Sequence, residues 1–523
     1  MGADALVQVL LFISALGIYI HAVFLTISLG FPWIIMALMY KWWRTGDRDY
    51  YDATRTVTAV LGLNFALGAI TGTLVEFGLV QAWPGSIFVI ATFGFLPLTL
   101  ELVAFVGEII FLIMFIVTLG RTRPVTSTAI MAAYAIIAIL SGAVITTVNS
   151  WLNVPWGTAN LAENLYPFLP QYGPNAVDVA ALVRLKVELV RSALVSGRSS
   201  QIIQDPTFAR RVGMTLRDPF VAFSSPYAMA SILHNVSAAI IVGMSFGLVG
   251  YAYRFFKTGN EKYVKIIRSF LPLLLIFLVL QPTVFADSMG KMVAANQPTK
   301  FALMEAAQTT TFNPLVSFLA YGDPQHPVAG FDSFKAACES NQGRTIGDLF
   351  SHLVPDLDTE HLSSLALTDL CLTDLTKAEA WMSLVNTAYY TKLATGIVAL
   401  LALIALISTV FSTGILSKVT NRILRPLSRK RTILLLSLLV LLGSVSSAML
   451  GWFVREGGRK PWTVYGLLYP TELVTPVSID PFVLTLFTLT FVLMAIVGLY
   501  GIYIVATRRL RFIELLRKGA GIE

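Results

Sequence analysis

Charge is scarce in this chain. Only 13% of its 523 residues are Asp, Glu, Lys or Arg, about half of the roughly 25% usual in a soluble globular protein. Hydrophobic residues make up 56%, and mean hydropathy is +0.72. These values exclude an ordinary water-soluble chain. Cysteine is limited to two residues and histidine to five. No internal repeat is visible. No small-residue cleavage site follows the first apolar run, Ala5 to Tyr40, which is far longer than the apolar core of a signal peptide. That run, with His21 at its middle, is read as a spanning helix that stays.

What is present is a series of long apolar segments. A membrane-spanning helix needs roughly 20 such residues. Nine candidates lie near 6–40, 57–80, 87–119, 127–150, 226–256, 266–284, 387–413, 432–453 and 482–507. The expected fold is an all-α integral membrane protein of about nine transmembrane helices. The basic residues fall on alternate connections. Arg44, Arg48 and Arg55 lie between the first two segments, and Arg121 and Arg123 between the third and fourth. Arg254, Lys257, Lys262 and Lys265 lie between the fifth and sixth. Lys418, Arg422, Arg425, Arg429, Lys430 and Arg431 lie between the seventh and eighth, and Arg508, Arg509, Arg511, Arg517 and Lys518 follow the ninth. The positive-inside rule makes that side cytoplasmic. The N-terminus is then outside and the C-terminus inside, which an odd number of helices requires.

The chain divides accordingly. Residues 1–150 form helices one to four, 151–225 an extracytoplasmic connection and 226–284 helices five and six. Residues 285–386 form a long extracytoplasmic loop, 387–507 helices seven to nine and 508–523 a cytoplasmic tail. The stretch Val177 to Ser196 is amphipathic, with Arg184, Lys186, Glu188 and Arg191 on its polar side. Cys338 and Cys371 both fall in the second outward segment. That compartment permits a disulfide between them, unpaired thiols being the alternative.

Ionisable groups inside spanning helices are costly and usually functional. The informative ones here are His21, Glu76, Glu101, Glu108 and His234, with Glu456 at the outer end of the eighth segment. The two histidines serve either as hydrogen-bonding groups between helices or as ligands, histidine being a standard axial ligand to haem iron. Glu101 and Glu108 are seven residues apart, about two turns along one helix face. That spacing suits a proton relay, or two protonated acids that only pack helices. Near the end of the eighth segment lies GWFVREGGRKPW, Gly451 to Trp462. Trp452 and Trp462 can be read as interfacial belt residues, and Glu456 with Arg459 as a helix-end ion pair. The other reading makes Glu456 an iron ligand and Arg459 the partner of a haem propionate, which its planar fork suits.

These residues resemble subunit I of the cytochrome bd quinol oxidases from the first helix to the last. GWFVREGGRKPW is similar to the family's GW-x-x-x-E-x-GRQPW, with Lys460 in place of Gln. NFALGAITGTLVEF, Asn64 to Phe77, resembles NFA-x-G-x-x-TG-x-x-x-EF. PLTLE, Pro97 to Glu101, resembles the segment that carries a carboxylate beside the high-spin haems. ADSMGKMVAANQPTKFALMEA, Ala286 to Ala306, resembles the start of the quinol-binding Q-loop.

The resemblance implies that His21 and Glu456 each ligate a high-spin haem, without assigning haem b595 or haem d to either. It implies that His234 ligates the low-spin haem b558 and that Arg459 serves the signature arginine's role. Glu101 and Glu108 take the place of the acidic pair tied to proton supply, one residue closer together than in the family. Lys300 and Glu305 take the place of the Q-loop pair linked to quinol oxidation. The implied cofactors are low-spin and high-spin haem b, with haem d possible in the set. The implied partners are quinol, O2, the bilayer and a second membrane subunit, either subunit II or a paralogue of this chain.

One departure matters. The family supplies the second axial ligand of the low-spin haem from FR-x-M-x-x-G. Here the stretch is Tyr390 to Gly396, with Lys392 for the arginine and Ala394 for the methionine. The site is then five-coordinate, empty, or served by another side chain such as Lys392 or Met382. The loss motivates an alternative reading, a partly haem-free structural paralogue partnering a complete subunit. A proton- or ion-coupled transporter would instead require broken helices and inverted repeats, and no such symmetry is visible.

Overall fold

In the computed structural model, residues 3–159, 161–195, 218–355, 359–362, 364–411, 428–475 and 480–508 are described. Lys418, Arg422, Arg425, Ser196 and the tail from Arg509 onward lie outside them. The fold is all-α, and β-pairing among the described residues is limited to isolated bridges. A bilayer core offers the backbone no water, so an apolar segment satisfies its N–H and C=O groups internally as a helix. Among the described residues nine helices are long and apolar enough to cross a membrane, as the hydropathy pattern predicts. They are α1 (Ala3–Thr45), α2 (Arg48–Ala82), α4 (Phe95–Thr118), α5 (Pro124–Asn153), α7 (Pro226–Thr258), α8 (Lys262–Leu280), α15 (Met382–Phe411), α16 (Arg429–Gly457) and α17 (Pro481–Arg508).

Two segment boundaries differ from the expected ones. The third apolar segment is two helices, α3 (Pro84–Phe93) and α4, which meet at Gly94. Pro97 has no N–H to return to the preceding turn, so the helix restarts there. The sixth does not stop at 284. It passes through a π-turn, Gln281–Phe285, into α9 (Ala286–Asn296). Pro282 lies in that turn. It lacks a donor and crowds the carbonyl a turn earlier, and the wider π-turn accommodates it.

Small residues set the closest helix crossing. A Cβ on Gly243 of α7 would lie 2.0 Å from the carbonyl oxygen of Thr26 in α1. One on Gly30 would lie 2.5 Å from the backbone nitrogen of Met244. Glycine lets these two backbones touch, and α7, which carries His234, is thereby seated directly on α1, which carries His21.

The two ends of the bundle differ. At one end Lys265 bonds both Asp47 and Asp49 at 2.6 Å, Arg429 pairs with Glu261, and Arg268 donates to the Val410 carbonyl. The helix-one-to-two, five-to-six and seven-to-eight connections therefore meet, as alternate connections must. The other end carries a helical cap. It comprises α6 (Val179–Val195), α10 (Pro298–Glu305), α11 (Pro314–Tyr321), α12 (Phe331–Glu339), α13 (Ile346–Leu353) and α14 (Leu367–Glu379). Cys338 of α12 and Cys371 of α14 form a disulfide with a Cα separation of 5.7 Å.

The cap corrects two readings. Lys186 is not on a solvated face; it is buried, donates to the Leu467 carbonyl, and lies 4.5 Å from the centre of the Tyr469 ring. Burial pushes its ammonium below its ordinary value, and Glu472 and Asp374 oppose that. Burial likewise lifts the Glu472 carboxyl to about 7. Trp462 is not an interfacial belt residue either. It is fully buried and donates to the Tyr166 hydroxyl at 3.2 Å. The segment from 151 supplies Tyr166 to a core it shares with Trp462 and with the long loop from 285, and burial on this cap takes Lys186 and Trp462 out of water.

Candidate functional site

His21 Nδ1 lies 3.1 Å from the Thr71 hydroxyl on α2. That hydroxyl is 3.0 Å from the carbonyls of both Leu67 and Gly68. A hydroxyl has one proton. With it directed to a helix carbonyl, the oxygen accepts Nδ1–H, and the Nε2 lone pair is left for a ligand bond.

His234 Nδ1 lies 3.1 Å from the side-chain nitrogen of Gln281, which also lies 3.3 Å from the His234 carbonyl. The amide oxygen of Gln281 accepts from the Ser237 hydroxyl. Gln281 is the first residue of the π-turn, so the irregular turn aims its amide at this imidazole. Lys392 of α15 lies beside Gly451 and within electrostatic reach of His234. Ala394 is exposed, and Met382 is packed in the cap core. Of the two substitute ligands considered, Lys392 is the one in this neighbourhood.

The cap-side end of α16 gathers the remaining groups. Glu456 pairs with Arg459 and accepts from the Asn149 amide of α5 at 3.2 Å. Tyr19, two residues before His21, lies within electrostatic reach of Glu456. Arg455 donates to Ser231 at 2.6 Å and to Ser150 at 3.3 Å. Here three buried guanidinium nitrogens have no hydrogen-bond partner among the described residues: Nε of Arg455, and Nε and Nη1 of Arg459. Unpaired buried donors are costly, and an acidic group such as a haem propionate matches them. The two imidazoles and the orphaned arginine donors together fit haem.

The cap reaches this cluster through α10. Lys300 is buried, and its ammonium donates to Asn153 Oδ1 at 3.3 Å, and to Gln297 Oε1 and the Arg455 carbonyl at 3.2 Å each. A Cβ on Gly458 would lie 2.5 Å from Lys300 Cγ, so the signature's second glycine makes room for the lysine stem. Burial, then the charge of Arg455, pushes the Lys300 amine well below its ordinary value. Glu305 faces the other way. Its Oε2 accepts from the Tyr390 hydroxyl at 2.8 Å. Burial raises the Glu305 carboxyl, and the Tyr390 hydrogen bond partly offsets the rise. Lys300 and Glu305 are thus split between a buried anchor and a half-buried acid. On α4, Glu108 is buried and hydrogen-bonds Ser141. Glu101 lies within electrostatic reach of both Glu108 and the exposed Glu76.

The family model for cytochrome bd terminal oxidase subunit I matches residues 12–316 and 311–510. The chain belongs to that family. It is 23% identical to the cytochrome bd-II ubiquinol oxidase subunit 1 of Escherichia coli strain K12, over 94% of this chain and 93% of that one. It is 26% identical to a putative cytochrome bd menaquinol oxidase subunit I of Bacillus subtilis strain 168. That match spans 26% of this chain and 31% of the Bacillus chain. Its fold is similar to that of the bd oxidase from Geobacillus thermodenitrificans, with a TM-score of 0.68 and 18% identity, over 98% of this chain and all of the other.

Proteins of the cytochrome bd family bind haems and work as membrane complexes with a second subunit. Within this bd-family chain, Gln281, Thr71, Asn149 and Tyr390 were absent from the sequence-level site. Gln281 and Tyr390 carried one available signal each: a polar residue before a proline in an apolar run, and a tyrosine just before the altered FR-x-M segment. Thr71 lies within the Asn64–Phe77 motif but is one of several hydroxyls there. Asn149 had no distinguishing signal.

Proposed function

We propose that this chain is the haem-bearing, quinol-oxidising subunit of a respiratory quinol:O2 oxidoreductase in the plasma membrane. The observation that carries this reading is the outer end of α16. Glu456, the orphaned donors of Arg455 and Arg459, and the Lys300 anchor from the cap converge there. When bound, haem supplies one-electron transfer and oxygen chemistry. The balanced reaction takes two quinols and one O2 to two quinones and two waters.

The chain's own groups take these roles. His21 and Glu456 present ligand atoms for two high-spin haems, and His234 for a low-spin haem b. Arg459, with Arg455 beside it, offers donors to propionates. Glu305, its carboxyl raised by burial, accepts a proton from quinol, and Lys300 fixes the loop that presents it. Glu108 and then Glu101 pass protons along α4 from the cytoplasmic side toward the haem ligands, with Ser141 beside Glu108. The basic end faces the cytoplasm, so the N-terminus is outside and the cap faces outward. A second membrane subunit, subunit II or a paralogue of this chain, completes the complex. Haem d in one high-spin site is part of this reading.

The test is a reduced-minus-oxidised visible spectrum of the purified complex, with haem extraction. A far-red chlorin band alongside b-type bands is expected. High-spin b-type haem without chlorin keeps the oxidase and changes the haem set. No haem overturns the reading and leaves the structural paralogue, which Ala394 favours.

A further inference from the structure

The outer cap buries its large apolar side chains almost everywhere. Among its described residues the exceptions are Phe220, alone in a connection, and a cluster on and just before α11. In that cluster Phe312, Leu315, Phe318 and Leu319 are 72%, 68%, 56% and 52% exposed. Within the helix, 315, 318 and 319 form one stripe at i, i+3 and i+4, and Phe312 lies just before it. The opposite face is small and buried: Ser317 is 0% exposed and Ala320 8%. This polarity is the reverse of that of a helix on a water-soluble domain, which turns its large apolar residues inward.

The level of α11 in the molecule explains the reversal. Glu305, at the end of α10, bonds Tyr390, which lies about two turns inside the spanning helix α15. That places α10 at the outer membrane boundary. Phe301 of α10 packs edge-on against Tyr321 of α11, with ring centres 5.8 Å apart. α11 also packs on α9, the direct continuation of the sixth span. The same continuous helix exposes apolar side chains along its spanning part, at Ile276, Val279 and Val284. Polar groups bracket the helix. The side chain of Asn313 accepts from the Val316 N–H at 3.3 Å, and exposed Asp323, Gln325 and His326 follow Gly322.

We propose that α11 lies in the outer leaflet's interface, with Phe312, Leu315, Phe318 and Leu319 among the lipid acyl chains. The bilayer, rather than a protein, is the occupant of this face, because α11 packs on the direct continuation of a spanning helix that exposes apolar side chains. A short helix with a large apolar face and polar ends sits in the plane of an interface in this way. One consequence rests on the quinol site proposed above. α11 holds the α10 loop, with Lys300 and Glu305, at the depth from which a lipid-dissolved quinol arrives.

The native cysteines are both consumed in one disulfide, so a single added cysteine is the one free thiol of this chain. Leu315→Cys and Phe318→Cys would each carry a nitroxide in phosphatidylcholine nanodiscs, with Leu401→Cys on α15 as the lipid control and Gln325→Cys as the aqueous control. Accessibility to O2 over a water-soluble nickel chelate is expected to match the Leu401 label. Preferential access to the nickel chelate, as at Gln325, overturns the proposal. So does shielding from both reagents, which would show a protein cover. The double variant Leu315→Asp, Phe318→Asp is expected to raise KM for a long-chain quinol several-fold in nanodiscs while kcat holds. Lipid-seated labels with an unchanged KM would overturn the quinol consequence alone, and loss of haem from the unsubstituted complex would overturn the quinol site alone.

Discussion

His21 and His234 are each met at Nδ1 by a polar side chain from a neighbouring helix, but the two partners differ in kind. Thr71 is a hydroxyl already directed to its own helix carbonyls, so it can only accept from His21. Gln281 is an amide, which can donate or accept. In the arrangement here its nitrogen faces the His234 ring and its oxygen faces Ser237. A half-turn of the amide would let its oxygen accept Nδ1–H while its nitrogen donates to Ser237. The Ser237 hydroxyl, 2.6 Å from the Leu233 carbonyl, would then donate there, at the loss of the 3.3 Å bond from the amide nitrogen to the His234 carbonyl. The first pocket fixes its tautomer by ordinary α-helix geometry. The second depends on an irregular turn and a rotatable group, in the same site whose expected methionine is replaced by Ala394. The comparison teaches that the two histidines, alike in sequence, are not equally defended.

The largest effect that would test this contrast is removal of each imidazole. His234→Ala is expected to delete the low-spin b-type signal and leave the high-spin haems, and His21→Ala to delete one high-spin haem and leave the low-spin one. Haem extraction and EPR read both. Loss of the same signal in both variants would break the separation of the pockets. Smaller effects should follow from their partners. Removing such a supporting group typically weakens metal binding by about 10- to 100-fold. Gln281→Leu should fall in that range, seen as low-spin haem lost on dilution or a shifted midpoint potential. Thr71→Val should sit at or below its lower end, since Thr71 adds one neutral hydrogen bond worth about 1 kcal/mol. The reverse order would sink the claim that His234 is the less defended.

The smallest effect concerns the outer acid. A base must lose its proton to work, and burial raises the Glu305 carboxyl. The rising limb of the pH profile for quinol oxidation should therefore lie above that of an ordinary glutamate. Tyr390→Phe removes the hydrogen bond that lowers this carboxyl. It should move the limb to higher pH still, and a downward shift would exclude Glu305 as the group that titrates.

Much of the fold was legible because its signals are local. Nine apolar runs predict nine spanning helices by length, and the GWFVREGGRKPW motif carries the family likeness within one short stretch. The structure chose the disulfide between Cys338 and Cys371 over the unpaired thiols that the sequence left as the alternative. Proline and glycine chemistry explains the misplaced boundaries at Gly94 and Gln281, since periodicity cannot distinguish an α-turn from a π-turn. Lys186 and Trp462 were misread because an amphipathic pattern reports polarity, not what packs over it.

By itself, then, the sequence determined the class of protein, the number of spans and the side chains that could ligate or relay. Those follow from composition and short-range spacing. Only the tertiary structure decided that Gln281 meets His234, that Lys300 turns inward while Glu305 turns out, and that three nitrogens of Arg455 and Arg459 stay without a hydrogen-bond partner. Each joins elements far apart in the chain, and burial and hydrogen-bond satisfaction at such junctions depend on which helices become neighbours.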